Sequence, residues 1–126
     1  MVKQWQEDDS EIQQVITWLS TNSWPDKTPE GSRKLKSFWA QRRRIKMTNG
    51  VLTREWEALG TNKKMLLPVI PRTRVPEVLD LIHNHPTGGH LWVAKSLEKI
   101  QQRFYWPQQR EDVEDWCRLC DACASR

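Results

Sequence analysis

A chain of 126 residues and 15.0 kDa holds one domain or two small units, each of the latter only marginally stable alone. It is 37% hydrophobic and 29% charged, and no apolar run approaches the ~20 residues that span a bilayer. The start, MVKQWQEDDS, lacks the apolar core of a secretory signal, so an intracellular place, nucleus or cytoplasm, is expected. The net charge of +4 is mild, so its placement matters more than its total.

Three cysteines, an odd number, argue for thiols or metal thiolates rather than a disulfide framework. Eight tryptophans can build small cores in a chain poor in aliphatic residues, because each ring buries a large area.

Taken in chain order, SEIQQVITWLST (residues 10–21) opens with a capping-box pattern, Ser10 and Gln13, and continues with Ile12, Val15, Ile16 and Leu19 at helical spacing. NSWPDKTPEGS reads as a linker. Residues 31–46, GSRKLKSFWAQRRRIK, predict a second helix with Leu35, Phe38 and Trp39 on one face. No acidic residue occurs from Arg33 to Thr53. Asn49-Gly50 between two short alternating segments is the strongest hairpin signal in the chain. KMLLPVIP (64–71) can add a third strand, which Pro68 and Pro71 restrict to an edge or an end.

The character changes near residue 72. VPEVLDLIHN sets Pro76 in a first helical turn and Val75, Val78, Leu79 and Ile82 in a buried stripe. PTGGH breaks that helix, and VAKSLEKIQQRF restarts one through Val93, Leu97, Ile100 and Phe104. YWP reads as an extended connector. Pro107 can open a last helix with Val113, Trp116, Cys117 and Cys120 inside. The expected organisation is a helix and linker over 1–30, a helix and β-hairpin over 31–73, and three short helices over 74–126. The fold class is mainly α with a small sheet.

All three histidines lie between residues 83 and 90, and all three cysteines between 117 and 123. His83 and His90 bracket the Pro-Thr-Gly-Gly break, and Cys120 and Cys123 form a C-x2-C pair. Two imidazoles and two thiolates suit tetrahedral zinc. Such an ion staples a unit too small for a large core, with apparent binding energies on the order of 10–16 kcal/mol. His85 reads as a solvent-facing bystander and Cys117 as a small buried hydrophobe. The even spacing of Cys117, Cys120 and Cys123 leaves a Cys117–Cys120 pair as the competing choice. A catalytic zinc on His83, His85 and His90, with Asp80 as base, leaves the C-x2-C unexplained.

Residues 75–126 carry GGHL, AKS, RFYWP, DVEDWC and CDACA in register and resemble the His-His-Cys-Cys zinc-binding domain of Ty3/gypsy-type retrotransposon integrases. SRKLKSFWAQRRRIKMTNGVLTREWE and LLPVIPRTRVPEVL are similar to the extension that precedes that domain. Residues 1–30 look like the link from a ribonuclease H region in the same polyprotein. The chain departs from the pattern at Trp92, usually Gly, and at Ser96, usually Thr.

The resemblance implies a zinc-held, helix-turn-helix-like bundle of three helices behind an α+β extension. It names His83, His90, Cys120 and Cys123 as ligands of one structural Zn2+, and not Cys117 or His85. It implies a non-catalytic module that helps integrase protomers assemble and helps bind the DNA ends of the element. The family's acidic triad needs a further domain of its own, so no acidic residue is assigned to it here. No membrane and no small-molecule substrate is expected. Arg42, Arg43, Arg44 and Lys46 form a basic patch interleaved with Phe38 and Trp39, and Lys95, Lys99 and Arg103 are expected on the outer side of the second zinc-domain helix. These cations suit phosphate contacts, which are blind to sequence and weaken with salt. The alternative is a zinc bundle used only for contact with other proteins.

Overall fold

A computed structural model describes residues 1–57, 63–83 and 93–119, without the side chains of 82, 83, 93–95 and 119. Among the described residues there are six α-helices: α1 (Val2–Glu7), α2 (Ser10–Ser20), α3 (Arg33–Ala40), α4 (Val75–His83), α5 (Val93–Gln101) and α6 (Gln109–Leu119). The strands β1 (Ile45–Thr48), β2 (Val51–Glu57) and β3 (Lys64–Pro68) form an antiparallel sheet in the order β1-β2-β3. The fold is thus mixed α+β. No helix among the described residues is long and apolar enough to cross a membrane.

The second helix begins where expected, but Asp9 caps it rather than Ser10. The Asp9 carboxylate accepts from the amides of Glu11 (2.9 Å) and Ile12 (3.0 Å). The same carboxylate meets the Lys34 ammonium of α3 at 2.7 Å, so one acid both starts α2 and ties it to the next helix. Gln13 does not close a capping box; its amide donates to the Gln6 carbonyl at 2.9 Å.

The helix expected over 31–46 stops at Ala40. Arg42–Arg44 make a short 3₁₀ turn and Ile45 already belongs to β1. The hairpin overrides the helical spacing, because Ile45 must pair with Arg54 and enter the core, where it is fully buried. Asn49 (φ 51°) and Gly50 (φ 79°) supply the two left-handed residues that a tight turn of this twist requires. Pro68 ends β3 at the sheet edge, opposite Thr53.

Two apolar clusters result. One gathers Ile12, Val15, Phe38, Ile45, Leu52 and Val69. The other gathers Ile70, Val75, Val78, Leu79, Leu97, Ile100, Trp106, Val113 and Cys117. The chain passes from the first to the second between Val69 and Ile70, and there it also pairs with the connector. Tyr105 donates its amide to the Pro68 carbonyl (3.0 Å), and Ile70 donates to the Tyr105 carbonyl (2.9 Å). The extended reading of Tyr-Trp-Pro holds, with Val69 and Tyr105 as a parallel bridge.

Two helix ends differ from expectation. α5 stops at Gln101, so Phe104 packs on the second cluster from the connector. α6 starts at Gln109 because Trp106 and Pro107 are buried and Gln108 turns through a left-handed φ of 70°. Ser96, in place of the family's Thr, is buried on α5, and Trp92 lies outside the described residues.

The first helix joins both clusters. Val2 and Trp5 pack on the second, and the Arg74 guanidinium lies 5.3 Å from the centre of the Trp5 ring. Gln6 points the other way and is 1% exposed. Its side-chain amide donates to the carbonyls of Leu52 (3.0 Å) and Val69 (2.8 Å), and its side-chain oxygen accepts from the Leu52 amide (2.7 Å). Replacing it would strand buried backbone groups, each costing about 1–3 kcal/mol. Gln6→Ala is therefore expected to lower stability by on the order of 3 kcal/mol in a denaturant titration. A loss under about 1 kcal/mol is incompatible with this role.

Candidate functional site

The four expected zinc ligands fall at the limits of the described residues. His83 is the last residue of α4, its side chain outside the description, and His90, Cys120 and Cys123 lie outside it altogether, as does His85. Among the described residues no group of three or more His, Cys, Asp or Glu is arranged to hold a metal. What is described is the frame. α4 and α6 share the second cluster through Val78, Leu79, Val113 and Cys117, and the chain leaves α6 at Leu119, one residue before Cys120. Cys117 is 4% exposed within that apolar cluster.

The frame is locked by Asp112 of α6. Its two carboxylate oxygens accept from both terminal nitrogens of Arg72 at 2.6 Å. One of them also accepts from the indole nitrogen of the buried Trp106 at 2.7 Å. The hydrogen bond to Asp112 holds Arg72 above the usual arginine range, against a smaller opposing effect of burial. A two-pronged pair of this kind fixes orientation as well as distance.

The basic residues do not form one uniform patch. Arg43 and Arg44 are exposed in the turn between α3 and β1, and Lys46 is exposed on β1. Arg42 is half-buried; it donates to the Trp39 carbonyl at 3.0 Å, and its guanidinium lies 4.3 Å from the centre of the Trp39 ring. Lys99 is exposed on α5. Arg103 is exposed too, but beyond the end of α5, so it does not continue a helical stripe. Lys95 belongs to α5 with its side chain outside the description.

Sequence reading missed a cleft of about 750 Å³ between the sheet and the connector. Arg44, Arg54, Trp56, Lys64, Gln101 and Tyr105 line it. Leu52, Arg54 and Trp56 alternate along one face of β2, and Leu52 fills the first cluster. Arg54 therefore sits where an apolar residue would extend the core. Its Nε donates to the Gln41 side-chain oxygen (2.6 Å), the Gln41 amide donates to the Tyr105 hydroxyl (2.6 Å), and the guanidinium lies 4.5 Å from the Tyr105 ring centre. Burial holds Arg54 below the usual arginine range; Tyr105 opposes the shift and Arg44 adds to it. A cation inside an otherwise alternating apolar strand was the available signal.

With this geometry in place, residues 70–126 match the integrase zinc binding domain family. The match takes in α4, α5, α6, the connector and every histidine and cysteine of the chain. Among curated proteins the chain is similar to gypsy retrotransposon integrase-like protein 1. It is 25% identical to the human and Macaca fascicularis proteins over 61 residues, which is 48% of this chain and 12% of each relative. It is 30% identical to the Bos taurus protein over 47 residues, 37% of this chain and 9% of that relative. The chain thus corresponds to a small part of the length of these relatives.

The Asp112 junction is open to test. Asp112→Ala removes the partner of a buried indole and of Arg72 together. The expected loss is about 2 kcal/mol of unfolding free energy, and Arg72→Ala made on top of it should add little. Full additivity of the two substitutions would refute a shared junction.

Proposed function

We propose that residues 74–126 are a three-helix unit stapled by one structural Zn2+ on His83, His90, Cys120 and Cys123. In this reading the chain is a non-catalytic module of a retrotransposon integrase. It assists binding of the element's DNA ends and assembly of integrase protomers, with residues 1–73 as its N-terminal extension. The observation that carries the reading is the match of residues 70–126 to the integrase zinc binding domain family. Four protein ligands leave a tetrahedral zinc no open position for water, so the ion has a folding role rather than a catalytic one.

The structure supports this choice of ligands through its frame. Val78 and Leu79 pack with Val113 and Cys117, so the helices that lead into His83 and Cys120 already share a core. Cys117 is buried in that core at 4% exposure, a place that suits a thiol packed as a small hydrophobe. Similarity to gypsy retrotransposon integrase-like protein 1 supports the integrase reading, from which the DNA and protomer roles are proposed. Of the cations expected to meet phosphate, Arg43, Arg44, Lys46, Lys99 and Arg103 are exposed, with Lys95 proposed to join them.

Metal analysis of single variants tests the zinc site. Cys120→Ser and His90→Ala are expected to lose zinc and to unfold the second cluster. Cys117→Ser and His85→Ala are expected to keep one zinc per chain. Zinc loss in Cys117→Ser overturns the ligand set.

A separate measurement tests DNA binding. Affinity is expected to fall steeply between ~50 and ~200 mM salt. Replacing Arg43 and Arg44 together by Ala should weaken all DNA sequences alike. A purified chain without salt-sensitive binding is instead a protein-contact module.

A further inference from the structure

The cleft between the sheet and the connector combines features that a phosphate surface alone does not need. Its volume of about 750 Å³ falls within the roughly 300–1,000 Å³ of pockets that enclose a small ligand. Half-buried Trp56 lines it beside its cross-strand partner Met65, which is exposed. Gln101 adds an amide, both donor and acceptor, at the end of α5.

The charge within the cleft is unevenly neutralised. Lys64 is spent on Glu55, at 3.7 Å, and Glu57 lies exposed at the margin. Among the described residues neither Arg44 nor Arg54 enters an ion pair, although each repels the other. Gln41 and Tyr105 hold the Arg54 guanidinium in place, so its position is set before any ligand arrives. An anion seated there would relieve the repulsion without having to order the Arg54 side chain.

We propose that this cleft holds one unpaired nucleotide, its base stacked on Trp56 and its phosphate seated between Arg44 and Arg54. The inference deepens the DNA-binding reading and rests on it: the chain would recognise a frayed or single-stranded end as well as the duplex backbone. Stacking tolerates any base, because every base offers a π face, so the site selects strandedness rather than sequence. Arg44 would serve both surfaces, since it ends the exposed basic turn and lines the cleft.

The experiment compares a blunt duplex with the same duplex carrying an unpaired overhang, together with a free mononucleotide. Wild-type chain is expected to favour the overhang by about tenfold, within the range for one base stacked on an aromatic ring. Trp56→Ala should abolish that preference and leave blunt-duplex affinity and zinc content unchanged, while Trp56→Phe should restore most of it. Arg54→Gln, checked for intact folding by circular dichroism, should also abolish it. Equal affinity for blunt and overhang DNA in the wild type overturns the proposal, as does a preference that survives Trp56→Ala. If no DNA binds at all, the DNA reading fails, and mononucleotide titration decides the cleft. Binding lost in Trp56→Ala keeps the nucleotide site, and absence of binding removes it.

Discussion

Leu52 and Val69 carry backbone groups that meet a side chain as well as each other, since the Val69 amide also donates to the Leu52 carbonyl. Gln6 places an amide there and bonds to three of those groups, so one residue behaves like a short piece of strand. Buried polar backbone must find partners, and the rest of the architecture follows from how it does so here. With Gln6 fixed, its neighbours Val2 and Trp5 reach the second cluster, and Val69 is held where the chain turns into it. A six-residue helix too short to be stable alone is kept by tertiary bonds at one face and apolar contact at the other.

The connector extends the same logic. Tyr105 is bonded to both Pro68 and Ile70, so the segment after α5 is pinned to the exit of the sheet. Its ring then supports Arg54 and its hydroxyl takes a bond from Gln41, while the adjacent Trp106 anchors Asp112 and, through it, Arg72. The segments before and after residue 70 are therefore joined by directional bonds as well as by packing. Such a seam sets an angle between elements in a way that apolar contact alone does not.

Features decided by neighbours in sequence were legible beforehand. Asn49-Gly50 announced its hairpin because only certain residues tolerate left-handed backbone twice in a row. The helical stripes of α2, α4, α5 and α6 followed from their spacing. The helix expected through Ile45 failed because the demand on that residue came from Arg54, nine positions on in another strand. Gln6 gave no signal at all, since a glutamine in a polar N-terminus looks solvated until strands from elsewhere surround it. The candidate ligand set could be drawn up from the sequence because its members are rare and confined to two short stretches, and they lie at or beyond the limits of the described residues. The cleft was not, because β2, which carries Arg54 and Trp56, meets Tyr105 of the connector only in the fold.

The triple arginine shows how the fold redistributes a charge run. Arg43 and Arg44 stand in water, but Arg42 is folded over the Trp39 ring and bonded to its carbonyl. Counterion release on binding DNA counts phosphates neutralised by freely offered cations, at about 0.9 ions for each. In the proposed DNA complex, a run that spells three charges would enter that count as two. The third is already committed to the C-terminal end of α3, and it would act on a strand through its field rather than through a released ion.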